Sequence, residues 1–154
     1  MAKEIPLTKG AVAIVSDEDY ERVSQYKWSL QSAGYAVRGI KRDGRWTHEL
    51  MHRFILGDSC AGLDVDHINM DRLDNRRSNL RMATRSQNMA NTRAISGKFK
   101  GVSYDRRRSK YTAVIHVGKH KIWLGYHRTA EDAAAAYNVA AIKFFGDYAR
   151  LNKL

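Results

Sequence analysis

Val65-Asp66-His67-Ile68, a polar run from Asn69 to Ser78, and then Asn79-Leu80-Arg81-Met82-Ala83-Thr84-Arg85-Ser86-Gln87-Asn88 form the stretch on which the fold turns. The first four residues read as a strand, the polar run as a loop, and Leu80 to Ala83 as a returning strand. Thr84 followed three residues later by Gln87 matches a capping box, so a helix starts there with Asn88 in its first turns. That order of strand, loop, strand and helix can bring Asp66 and Asn88 together. Asp66, His67, Asn79 and Asn88 fall within 23 residues. Oxygen donors suit a hard divalent cation held against a phosphate. An imidazole, with an ordinary pKa near 6.5, suits the activation of a water beside it.

The rest of the chain bears on what the phosphate belongs to. The 154 residues carry a net charge of +11, spread unevenly: +1 over residues 1–60, +2 over 61–97 and +8 over 98–154. A polyanion is therefore expected at the last third, held by phosphate neutralisation and counterion release. Charge alone allows an ordinary basic surface equally well. The single cysteine, Cys60, excludes an internal disulfide and multi-cysteine zinc sites. With no leader-like or long apolar segment, a cytoplasmic protein with no membrane partner is expected.

Upstream, Ala11 to Val15 is a compact apolar run and Gly34 to Arg38 a second strand-like one. Asp43-Gly44 predicts a tight hairpin turn leading into Trp46-Thr47. Ser16-Asp17-Glu18-Asp19 opens a short helix containing Tyr20 and Val23. Leu50 to Leu56 reads as another, stopped by Gly57. Residues 93–97 read as a connector between two domains, 1–92 and 98–154. In the second, strands over Lys100 to Tyr104, Tyr111 to Val117 and Lys121 to Tyr126 precede a helix capped by Thr129 and ended by Gly146. Its apolar stripe is Ala133, Ala136, Tyr137, Ala140, Ala141 and Phe144, a core face whose many alanines let it lie close over a sheet.

Two family resemblances follow from these residues. His52-Arg53, Asp66-His67, Asn75 to Leu80 and Asn88, with Ile5 to Thr8, Asp19-Tyr20 and Gly34 to Val37 ahead of them, resemble the HNH endonucleases, in particular the phage and intron-homing branch. The resemblance covers most of residues 4–93. It implies a ββα-metal finger (His-Me finger) over about 63–92, with short β-hairpins ahead of it. His67 then takes the place of the general base, and Asp66 and Asn88 those of the metal ligands. Asn79 is the middle asparagine that braces the loop and orients the base. Asn88 stands where the plain pattern has histidine. That change trades a nitrogen ligand for an amide oxygen, so magnesium or manganese is expected over zinc. Asn69-Met70-Asp71-Arg72 replaces a turn that carries glycine in many relatives. His52 either touches a phosphate or packs, and packing is favoured.

Lys100-Gly101-Val102, Trp123-Leu124-Gly125, Thr129 to Ala134 and Ala149 to Asn152 resemble the ethylene-response-factor (APETALA-type) DNA-binding domain over about 98–153. The resemblance implies a three-stranded antiparallel sheet packed on one helix, with the sheet laid in a major groove. Its DNA face maps onto Lys100, Ser103, Val114, His116, Lys121 and Trp123, with Arg106, Arg107 and Arg108 in the hairpin. Arg76, Arg77 and Arg85 are further phosphate contacts, solvated charge being the alternative for all the arginines and a core position for Trp123.

The whole reads as an α+β, metal-dependent DNA endonuclease of phage or mobile-element origin. It is expected to be a monomer that nicks double-stranded DNA and needs one magnesium or manganese ion, with no small-molecule cofactor. The alternatives are a sequence-specific DNA-binding regulator without cleavage and a basic RNA-binding protein.

Overall fold

The computed structural model describes residues 1–94 and 97–154, which form two compact units, Met1–Ala83 and Thr84–Leu154. Both mix small sheets with short helices, so the chain is α+β. Of the expected connector 93–97, residues 95 and 96 lie outside the described residues. No helix among the described residues is long and apolar enough to cross a membrane.

In the first unit, β1 (Ala2–Pro6) pairs antiparallel with β2 (Val12–Ser16). Helix α1 (Asp17–Ser24) follows directly, its first turn holding Asp17, Glu18 and Asp19. Ser16 precedes it as expected but makes no side-chain cap; its hydroxyl accepts from the Arg77 backbone N–H at 3.0 Å. Next come β3 (Ser29–Leu30), β4 (Ala36–Arg42) and β5 (Arg45–Leu50), an antiparallel meander. The β4–β5 turn is the expected Asp-Gly pair, with φ of 49° at Asp43 and 77° at Gly44. Two consecutive positive φ values match the twist of the flanking strands. Helix α2 (Met51–Leu56) ends at Gly57, again as expected.

Strands β6 (Asp64–His67) and β8 (Leu80–Ala83) pair antiparallel, opposing Asp66 to Arg81 and His67 to Leu80. The intervening run is more ordered than a polar loop. Asp74–Asn75 forms β7, which joins β2 in parallel. A core of Ile5, Val15, Val23, Trp28, Met51 and Ile55 lies beneath these elements.

Two arginine forks fasten the 69–79 run. Arg76 grips Asp74 with Nε–Oδ1 at 2.7 Å and Nη2–Oδ2 at 2.6 Å. Arg77 grips Asp19 at 2.8 and 2.9 Å, and Arg22 adds a third hydrogen bond to the same carboxylate. Burial would push the Asp19 carboxyl up, but the bonds from Arg77 and Arg22 outweigh it and hold it below the ordinary carboxylate range.

The second unit opens with helix α3 (Arg85–Ala90), whose capping box between Thr84 and Gln87 is present in both directions. Strands β9 (Val102–Asp105), β10 (Lys110–Val117) and β11 (His120–His127) form an antiparallel meander. Ala113 and Ile115, alternate residues of β10, are buried with helix α4 (Ala130–Phe145). Thr129 caps α4 by accepting from the Asp132 N–H at 3.0 Å. The buried stripe is Ala133, Ala134, Tyr137, Ala140, Ala141 and Phe145. It differs from the expected one at two places, since Phe145 is buried and Phe144 exposed, and Ala134 replaces Ala136 in the core. A 3.6-residue period permits either row, and packing on the sheet selects the second. Gly101, with φ of 73°, sits so tightly that a Cβ would lie 2.2 Å from the Tyr137 ring and 2.5 Å from the Val114 carbonyl.

Gly101→Ala is therefore expected to destabilise the chain by about 2 kcal/mol or more, read as a lowered calorimetric midpoint; an unchanged midpoint would contradict this packing. Arg77→Met leaves a buried carboxylate short of its fork and is expected to cost about 2–3 kcal/mol near neutral pH. Because the folded Asp19 carboxyl titrates low, that contribution is present above the unfolded carboxylate range near 4 and is lost as pH falls through the folded value. Denaturant melts across pH should show the deficit shrink in acid; a constant deficit would assign the loss to packing instead.

Candidate active site

Asp66 and His67 are the last two residues of β6. Asp66 is buried and opposes Arg81, which binds its Oδ2 through Nε at 2.8 Å and Nη2 at 2.7 Å. A carboxylate offers about four lone-pair sites, so this pair does not exhaust it as a ligand.

His67 is also buried. Its Nε2 lies 3.2 Å from Oδ1 of Asn75. The Asn75 amide is oriented by its own second bond, Nδ2 donating to the Leu73 carbonyl at 3.2 Å. The oxygen therefore faces the imidazole and can only accept, an arrangement that suits the tautomer with its proton on Nε2. Burial pushes the His67 pKa below its ordinary value, opposed by the Asn75 hydrogen bond and by nearby Asp66, Asp71 and Asp74. The ring is thus neutral at physiological pH.

Two more rings pack against it. His52 meets His67 edge to face, with centroids 5.1 Å apart at 86°, and Tyr35 lies 5.4 Å from His52 and 6.0 Å from His67. Burial drives the His52 pKa to about 3, so it is a neutral packing ring.

Asn79 ties the loop. Its Oδ1 accepts from the Asn69 N–H at 3.0 Å, while its Nδ2 donates to the Asn69 side chain at 3.0 Å and the Asp74 carbonyl at 2.8 Å. Asn69 Oδ1 in turn accepts from the Asp71 N–H at 2.8 Å. Between them Met70 has φ of 63°, the left-handed conformation that glycine adopts without strain. The turn without glycine is thus stapled by side-chain amides.

Asn88 stands half-buried on α3 in the second unit, its N–H bonded to the Thr84 carbonyl at 2.9 Å, with Arg85 exposed beside it in sequence. Among the described residues no group of three or more His, Cys, Asp or Glu could hold a metal ion. The Asp66 carboxylate and the Asn88 amide are each hard oxygen donors. Oxygen donors of this kind suit magnesium or manganese, which take one or two protein oxygens and otherwise keep water or phosphate, better than they suit zinc.

The expected nucleic-acid contacts fall into two groups. Arg76 and Arg77 are committed to Asp74 and Asp19. Lys100 is likewise engaged: its ammonium donates to the Met89 and Ala90 carbonyls and to Thr92 Oγ1, and burial lowers its pKa to about 8. Ser103, Arg106, Arg107, Arg108, His116, Lys121 and Trp123 are exposed, and Val114 is half-buried. His116 opposes Lys121 across β10 and β11. The Trp123 ring stands 5.3 Å from Tyr126, and Asp105 accepts from the Arg107 and Arg108 backbone N–H groups to shape the basic turn.

Sequence reasoning gave no role to Asn75, Tyr35 or Arg81. Asn75 reaches His67 from β7 and Tyr35 from just before β4, and no local pattern signals such a partnership. Arg81 could have been found, because a two-stranded pairing that opposes it to Asp66 follows from the hairpin register.

Residues 45–90 match the model of a family described as HNH endonuclease. The chain is 36% identical over 148 residues to an uncharacterized HNH endonuclease of Acanthamoeba polyphaga mimivirus, covering 95% of this chain and 77% of that protein. It is also 37% identical over 93 residues to an ethylene-responsive transcription factor of Arabidopsis thaliana, spanning 57% of this chain and 58% of that one. A matched segment that includes β6, the stapled loop and β8, together with a likeness running nearly end to end, makes this chain a member of the HNH endonuclease family.

Proposed function

We propose that the protein hydrolyses phosphodiester bonds in duplex DNA with His67 as general base. The observation that carries this reading is the buried His67 imidazole with its Nε2 held 3.2 Å from the Asn75 amide oxygen. Nδ1 takes a proton from water as the water oxygen attacks phosphorus. The bond to the 3′-oxygen breaks, the departing oxygen gains a proton from solvent, and the ends are a 5′-phosphate and a 3′-hydroxyl. Asp66 and Asn88 would hold one magnesium or manganese ion, which supplies charge neutralisation at the phosphate and the leaving oxygen. Asn79 and Asn75 act as positioning residues, one on the loop and one on the ring. Asn88 joining this centre rests on the family pattern and on its hard-oxygen chemistry.

The family resemblance gives the finger as about 63–92, a range that includes β6, β8 and α3. Residues 98–154 supply affinity through the exposed turn Arg106 to Arg108, with His116, Lys121 and Trp123 on the sheet and Arg85 nearby in sequence as a further phosphate contact. One finger is one cutting centre, so a monomer nicks. A viral or mobile-element role in the cytoplasm of a host cell fits this activity.

Supercoiled plasmid with magnesium should be converted to the nicked circle by the native chain and not by His67→Ala. Asn75→Ala should lower kcat about 10- to 100-fold with KM little changed, and the nitrogen-15 spectrum of His67 should shift from the Nε2–H form to a tautomer mixture. Retained nicking by His67→Ala would end this reading. Replacing Arg106, Arg107 and Arg108 together by glutamine should weaken duplex binding and lower the slope of log K against log salt by about 0.9 for each phosphate no longer neutralised. An unchanged slope would remove the turn from the interface.

A further inference from the structure

The ribbon formed by β4 and β5 is used by nothing in the proposed reaction, yet its outer half is built unlike an idle hairpin. Trp46 is 77% exposed, the most exposed of the three tryptophans. Its ring lies over Gly39, 3.7 Å from where a Cβ would stand. The register sets Lys41 directly opposite Trp46 and Arg42 directly opposite Arg45. Alternation therefore gives the ribbon two different faces, one with Trp46, Lys41 and His48, the other with Arg42 and Arg45.

Two guanidinium groups facing each other across a ladder repel. Arg42 finds partial relief in Glu49, Nη2 to Oε1 at 3.3 Å, but that carboxylate is already bound by Arg38 at 2.6 Å. Neither Arg45 nor Lys41 has an ion-pair partner among the described residues. Meanwhile Asp43 and Gly44 hold a preformed turn, so the tip presents this charge without ordering on contact. A bare indole beside Lys41, with two arginines facing each other on the reverse, is a poorly compensated surface. A polyanion with flat apolar faces would relieve it.

We infer that the β4–β5 ribbon is a second DNA-binding element that enters a groove by its tip, one face to each wall, with Arg42 and Arg45 on the phosphates of one strand and Trp46 laid against the sugar and base edges of the other. A two-stranded ribbon fits a major groove about 12 Å wide. The inference rests on the reading of the protein as a DNA endonuclease. It locates a duplex contact on the nuclease unit itself, where residues 1–60 carry a net charge of only +1.

The test is equilibrium binding of the full chain to a fluorescein-labelled duplex of mixed sequence, in EDTA so that no turnover intervenes, over about 50–200 mM salt. The Arg42→Gln/Arg45→Gln variant should bind about tenfold more weakly at the low-salt end, with the salt slope reduced by about 1–2. Trp46→Ala should weaken binding about fivefold with the slope unchanged, since stacking carries no counterion release. All three side chains are exposed, so melting curves should match the native chain; if the double variant melts early, Arg45→Gln alone and Trp46→Ala decide. Affinity and slope equal to the native chain's in these variants would overturn the inference, as would tighter binding of hairpin RNA than of duplex through the same residues. The plasmid assay separates the two readings. A native chain that binds duplex through the ribbon but leaves the plasmid uncut condemns the nuclease reading alone, and one that cuts while the ribbon variants bind as tightly as it does condemns the ribbon alone.

Discussion

The Asn75 amide, closed in the core between the Leu73 carbonyl and the His67 ring, is the contact on which the proposed chemistry depends. An imidazole has two nitrogens, and a base must keep its lone pair on the one that meets water. A carbonyl partner would fix the tautomer as firmly. An asparagine side chain does so only because its other end is occupied. That requirement explains why the 69–79 run cannot be a loose loop. Its β7 pairs with β2, and Arg76 and Arg77 clamp it through Asp74 and Asp19. The arginines that charge alone would assign to phosphate are committed to holding the base in register.

This also explains what the sequence made legible. The strand before His67, its return at Leu80, the Thr84–Gln87 cap, the Asp43-Gly44 turn and the stop at Gly57 are local patterns, in which a few adjacent residues dictate backbone geometry. The pairing of β7 with β2 joins residues some sixty positions apart and has no local signature. Nor could periodicity choose between Phe144 and Phe145, because consecutive positions near the end of a 16-residue helix lie almost equally close to the buried stripe. Among the candidate site residues, types and spacing were readable, but partners were not. Lys100, Arg76 and Arg77 look alike as letters to Arg106, and only their carboxylate or carbonyl neighbours tell them apart.

Charge follows the same logic. The excess in the last third is real, but the sum over a segment hides how it is distributed. Residues 1–60 are nearly neutral in sum because the acids gather around α1, while the cations reach the end of the β4–β5 ribbon. A field that steers a polyanion depends on such separation rather than on the total.

Helix α3 has a consequence for how such enzymes can be recombined. Six residues are too few for a helix to persist alone. It is sustained inside the second unit, where the Lys100 ammonium meets its last carbonyls, the Arg150 N–H bonds the Ala90 carbonyl, and Ser86 Oγ accepts from Gly118. The segment bearing Asn88 therefore shares its folding with the meander that follows. A chimera spliced at 93–97 to exchange one target reader for another would strip that helix of its scaffolding. A transplant would have to begin before Thr84.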